Sequence, residues 1–94
     1  MWARVARFEG DPADVEARVE RLQGLIHADA VPPELADAKV LLLVDRASGA
    51  MLGLTLFPTE EALHKGDAVM NAGPGAAGRR SAVEFYEVPV HLGL

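Results

Sequence analysis

Between Lys39 and Phe57 the chain reads KVLLLVDRASGAMLGLTLF. Two apolar runs, Val40 to Val44 and Met51 to Phe57, flank the polar link Asp45-Arg46-Ala47-Ser48-Gly49, whose glycine can take positive φ; the pattern predicts a two-stranded hairpin. Val40, Leu41, Leu42, Leu43 and Val44 do not alternate with polar residues, so both faces of that strand need shelter from water. Upstream, Trp2 to Phe8 alternates as a first strand, with Trp2, Arg4, Ala6 and Phe8 on one face and Ala3, Val5 and Arg7 on the other. Glu9-Gly10-Asp11-Pro12 stops it, and Asp11 as cap with Pro12 at the first helical position starts a helix expected to run to about Asp29. Its apolar stripe is Val15, Val19, Leu22 and Ile26, with Glu16, Arg18, Glu20 and Arg21 facing water.

Ala30 to Asp37 reads as a loop, since Pro32-Pro33 forbids continuation of the helix. After the hairpin, Thr59 caps a second helix with Glu60 and Glu61 at the positive end of its dipole; it runs to about Asn71 and buries Ala62, Leu63, Val69 and Met70. Gly66 within it weakens the helix by about 1 kcal/mol relative to Ala. Residues 72–78 are too rich in glycine to stay helical and read as a loop that can act as a lid. Ser81 to Val90 is the last strand.

Strand, helix, strand, strand, helix, strand is the order of the split βαβ, or ferredoxin-like, α+β sandwich: a four-stranded antiparallel sheet with two helices on one face. The other face then shows Leu52, Leu54 and Leu56, more apolar surface than a monomer usually leaves exposed. A second copy laid sheet to sheet covers it, giving a homodimeric barrel with helices outside. In this reading Arg4 turns toward the partner and pairs with Glu84 or, failing that, Glu87, because a buried guanidinium requires a carboxylate. Ala3, Val5 and Arg7 turn toward the helices.

The 94 residues suffice for one domain, 1–94, and half of them are hydrophobic, so a core is attainable and disorder is not expected. Nine Lys and Arg against 14 Asp and Glu give a net charge of −5, which argues against a nucleic-acid or anionic-membrane surface. With no cysteine there is no disulfide, thiolate metal site or cysteine nucleophile. No apolar run approaches the roughly 20 residues of a membrane span, and the opening Met1-Trp2-Ala3-Arg4 reads as a strand rather than a signal peptide. A cytoplasmic protein is expected.

Nearly the whole chain resembles the dimeric α+β barrel proteins, in particular the group of antibiotic-biosynthesis-type monooxygenases and their bacterial relatives. The resemblance is carried by Ala3-Arg4-Val5 leading to Phe8-Glu9-Gly10-Asp11-Pro12, by Leu41-Leu42-Leu43-Val44-Asp45-Arg46 with Gly49, by Leu54-Thr55-Leu56-Phe57 before Thr59-Glu60-Glu61-Ala62-Leu63, and by Val83-Glu84 with Tyr86-Glu87-Val88. It implies a pocket between sheet and helices in each subunit. Enzymes of this family use an Asn on the first strand, a Trp ending the third and, in haem degraders, a His on the following helix. At those places this chain has Ala3, Phe57 and Gly66 or Asp67, with His64 on a different side of the helix. The resemblance therefore implies the fold without haem or another cofactor.

Candidate chemistry is sparse. His27, His64 and His91 lack the spacing of metal ligands, so no metal is expected; His64 either lines the pocket or is a solvated helix position. Glu60 and Glu61 are assigned to the helix dipole rather than to catalysis. The Gly-Pro-Gly and Gly78-Arg79-Arg80 stretch lacks the Lys-Ser/Thr of a phosphate loop. Arg7 either anchors an acidic ligand or reaches solvent at the end of its strand. The expected pocket is walled by Val5, Arg7, Thr55, Phe57, His64 and Met70, and the expected dimer interface includes Arg4, Leu52, Leu54, Leu56 and Glu84. Two classes of function fit: a homodimer without turnover, either purely structural or binding a small aromatic or acidic molecule, and a cofactor-independent monooxygenase acting on a quinol or phenol.

Overall fold

The computed structural model describes residues 1–27, 31–72 and 79–94, and the side chain of His27 is left aside. Its elements are β1 (Trp2–Glu9), α1 (Val15–His27), β2 (Lys39–Val44), β3 (Met51–Phe57), α2 (Glu60–Ala72) and β4 (Arg79–Glu87), with 3-10 turns at Pro12–Asp14 and Pro33–Leu35. The sheet is antiparallel in the order β2-β3-β1-β4. This is the ferredoxin-like α+β arrangement that the order of apolar and polar runs implied. The expected end of α1 near Asp29 and the glycine-rich loop after Ala72 fall outside the described residues.

Local chemistry explains where elements start and turn. Asp11 accepts from Ala13 N (2.9 Å) and Thr59 Oγ1 accepts from Ala62 N (3.1 Å), so the turn leading into α1 and the start of α2 each open on a side-chain cap. The hairpin turns at Gly49, whose φ of 81° lies in the left-handed region. A Cβ there would also meet Gly10 O at 2.3 Å, because the loop after β1 crosses directly over the turn. Arg18 joins the same two loops: its Nη2 donates to Gly49 O (2.7 Å) and Asp11 O (3.3 Å). It is buried, not solvated as its place in the helical pattern suggested. The backbone carbonyls of two converging turns accept from its Nη2, and glycine at position 10 leaves room for the guanidinium.

The register decides which strand face meets the helices. Trp2, Arg4, Ala6 and Phe8 stand opposite Phe57, Thr55, Gly53 and Met51, and Arg4 bonds to Asp67 of α2. That face of the sheet is therefore the helix face, with Phe57, Met51, Thr55 and Leu63 fully buried. The assignment of β1 expected from the sequence is reversed: Arg4 looks to the helices, and Val5 and Arg7 look to the open side. Alternation separates the two faces without saying which is covered; here the face carrying Trp2 and Phe8, with the larger apolar area, is the one taken into the core.

The open face carries Leu41 and Leu43 of β2, Leu52, Leu54 and Leu56 of β3, Val5 and Arg7 of β1, and Glu84 and Tyr86 of β4. Leu56 is 6% exposed, whereas Leu41 and Leu43 at the sheet edge are 44% and 46% exposed. On the helix side of that edge strand Val40 is 53% exposed. In a single chain, neither face of β2 has the shelter its unbroken apolar run calls for.

Candidate functional site

Between the sheet and the helices lies a cavity of about 150 Å³. Ala6 and Phe8 of β1, Leu22 and Ile26 of α1, Val40 to Leu42 of β2, Gly53 of β3 and Met70 of α2 wall it, and Arg4 and Thr55 supply its polar side chains. Its origin is in the sheet. Ala6 and Gly53 face each other across β1 and β3, so two adjacent positions on the helix face lack the bulk to reach α1. A Cβ added to Gly53 would meet Phe8 Cε2 at 3.5 Å and Ala6 Cβ at 4.0 Å, which are ordinary contacts; the space is genuine room rather than close backbone approach.

Arg4 is 4% exposed and anchors one end of this space. Its Nε donates to Asp67 Oδ1 (2.8 Å) and its Nη2 to Asn71 Oδ1 (3.2 Å), while Asn71 Nδ2 donates to Asp67 Oδ2 (3.2 Å). Arg80 of β4 also donates to Asn71 Oδ1. Asp67, Met70 and Asn71 lie three and four residues apart on α2, so one helix face presents a carboxylate, a thioether and an amide to β1. Such a charged group persists in an apolar interior only when paired and hydrogen-bonded in this way.

The pairing differs from the expected one. In the register of β1 and β4, Glu84 stands opposite Val5 and Phe85 stands opposite Arg4. One step along an antiparallel pair reverses the face, so Arg4 and Glu84 lie on opposite sides of the sheet. Glu84 instead accepts from Arg7 Nε (2.6 Å) and Tyr86 Oη (2.5 Å) on the open face. The hydrogen bond from Arg7, and then that from Tyr86, hold the Glu84 carboxyl below its usual range. The Tyr86 phenol is pushed above its usual value, first by its hydrogen bond to Glu84 and then by that group's negative charge. Arg7 is stabilised in its charged form by the same hydrogen bond.

Of the expected pocket residues, Thr55 and Met70 line the cavity, and Phe57 is buried on the same face without lining it. Val5 and Arg7 do not belong to it, being across the sheet. His64 is exposed, 3.5 Å from Glu60 and edge-on to Phe85 with ring centroids 5.8 Å apart, which is the solvated-helix reading. Gly66 is buried under Phe57 and Leu35, so position 66 of α2 has no room for a side chain. Among the interface candidates, Leu52, Leu54, Leu56 and Glu84 lie on the open face and Arg4 does not. No family, curated protein or solved structure matches the chain.

Sequence reasoning missed Asp67 and Asn71. The available signal was their position beside Leu63 and Met70 on the buried stripe of α2, where a carboxylate calls for a cation. Among the described residues, no three His, Asp or Glu side chains gather as a metal site, and no helix is long and apolar enough to cross a membrane.

Proposed function

We propose that the protein is a homodimeric α+β barrel that binds a small aromatic molecule carrying a hydroxyl group in the cavity between sheet and helices. The cavity itself carries this reading. A largely apolar pocket of about 150 Å³ has room for a benzene-sized ring, and this one, open to solvent beside Val40 and Ile26, adds a threonine hydroxyl and a neutralised arginine at its wall. A neutral hydroxyl is favoured over a carboxylate because Asp67 already offsets Arg4, and a second anion would lose its water beside that carboxylate. Binding rather than turnover is favoured, since Arg4 and Thr55 are the only polar side chains on the described wall and neither is a general base at neutral pH.

The dimer is supported by the open face. Leu41, Leu43, Leu52, Leu54 and Val5 form one apolar field beside the Arg7–Glu84–Tyr86 cluster, and fields of this kind mark interaction surfaces. A two-fold sheet-to-sheet contact buries it. The reading is tested by light scattering together with a thermal-shift screen of phenol, catechol, hydroquinone, benzoate and haem. Twice the chain mass at micromolar concentration, reduced by Leu54→Asp, and stabilisation by a hydroxylated ring are expected. A stable wild-type monomer refutes the dimer. No shift with any phenol, or a shift with benzoate alone, refutes the ligand class.

A further inference from the structure

After Glu87 the chain keeps a strand-like pattern without a sheet to join. Val88 N still donates to Met1 O (2.9 Å); beyond it Val90 and Leu92 are 86% and 99% exposed, among the most exposed apolar residues described. Val88, Val90 and Leu92 alternate with Pro89 and His91, the period of a half-buried strand, until Gly93 turns with a φ of 79°. At the other side of the sheet, β2 is an edge strand whose outer edge pairs with no described strand. It carries none of the usual protections of such an edge apart from Lys39: no proline, no inward charge and no bulge.

We infer that, in the homodimer, the segment Val88–Leu92 of each copy adds as a strand to the free edge of β2 in the other, closing the mouth of the partner's cavity. The inference rests on the homodimer reading above. Five extended residues span roughly 16 Å against roughly 20 Å for the six of β2, so the lengths match. The segment's own β2 lies three strand spacings away across the sheet, roughly 14 Å, behind β1 and β3. Pro89 fixes the polarity: with the N–H groups of Val90 and Leu92 turned to β2, the residue without an N–H faces solvent, as on natural edge strands. The new edge then carries a proline and cannot recruit a third copy, so the exchange closes at two rather than growing into a fibre. Val90 and Leu92 share one face of that strand. That face lies over Val40 and Ile26, which bound the cavity on the helix side and are each more than half exposed in the single chain. A sheet-to-sheet contact alone leaves both of these residues uncovered.

The absence of native cysteine makes the test direct. Full-length Leu92→Cys is mixed with full-length variants carrying one cysteine at each β2 position from Val40 to Leu43 in turn. The mixtures are oxidised mildly, and cross-linked peptides are identified by mass spectrometry, with Glu61→Cys on the exposed side of α2 as control. A disulfide between position 92 of one copy and a β2 position of the other is expected, at several times the control yield, because paired strands bring Cα atoms within disulfide range. No β2 link above control, or a preferred link from position 92 to Leu52→Cys or Leu54→Cys on the open face, overturns the inference. When the mixture still scatters as a dimer, that result removes the strand exchange alone; when it scatters as a monomer, the homodimer reading falls with it.

Discussion

Replacing Arg4 by Met removes a side chain that is 5% exposed from a carboxylate, Asp67, that is 21% exposed and 2.8 Å away. Methionine fills much of the same volume, so the main effect is electrostatic: Asp67 loses its cation and, among the described residues, is left with Asn71 Nδ2 at 3.2 Å. Stranding a buried charge costs roughly 3–5 kcal/mol, and the fifth of Asp67 still open to water places this case at about 2–3 kcal/mol. In a domain of this length that lowers Tm by about 10–15 °C. Thermal and urea unfolding of Arg4→Met, Asp67→Leu and the double variant form a cycle. The double variant should recover most of the loss, with a coupling of at least about 1.5 kcal/mol. The parallel cycle of Arg4→Met with Glu84→Gln should be additive within about 0.5 kcal/mol, since the two lie on opposite faces of the sheet. Coupling to Glu84 instead of Asp67, or an unchanged Tm in Arg4→Met, refutes the helix-facing assignment of β1.

Other expectations follow from the same contacts. Gly66→Ala gains helix propensity yet should destabilise by about 1–2 kcal/mol in urea titrations, because its Cβ would lie 2.4 Å from the buried Phe57 ring; a rise in stability would mean that ring has room to move. Gly49→Ala should cost at least about 2 kcal/mol by the same measurement, combining positive φ with a backbone clash at Gly10 O. Tyr86 is the only tyrosine, so absorbance titration reads it alone. Its midpoint should lie above the usual tyrosine value and fall back in Glu84→Gln. Because its folded pKa is the higher one, the associated stability is present below the unfolded value and declines as pH rises through the folded one. Glu84 behaves oppositely, its contribution present above the unfolded carboxyl value and lost as pH falls through its depressed folded value.

The elements were legible because they are written locally. Asp11, Thr59 and Gly49 mark starts and turns by their own side chains or φ, and the structure finds them in those roles. Face assignment was not, because alternation in Trp2 to Phe8 is symmetric to the reader until a partner element breaks the symmetry; Asp67, more than sixty residues away, does so. Gly66 looked like a weak point of its helix and is a packing requirement, a distinction set by Phe57 and not by its neighbours in sequence. Arg18 looked solvated for the same reason. The cavity was the least legible feature. It exists because Ala6 and Gly53 are cross-strand neighbours, and nothing in either segment alone announces the space that their pairing leaves.

Gly53→Val tests the ligand site most directly, since the new side chain enters the cavity with only ordinary contacts at its Cβ and a β-branched residue suits a strand. Melting curves of wild type and variant are recorded with and without saturating phenol or hydroquinone. The expected result is a variant at least as stable as wild type when free of ligand, with the ligand-induced rise in Tm present in wild type and lost in the variant. An undiminished rise in Gly53→Val would place the binding site elsewhere and contradict the proposal that the space between sheet and helices is where this protein holds its ligand.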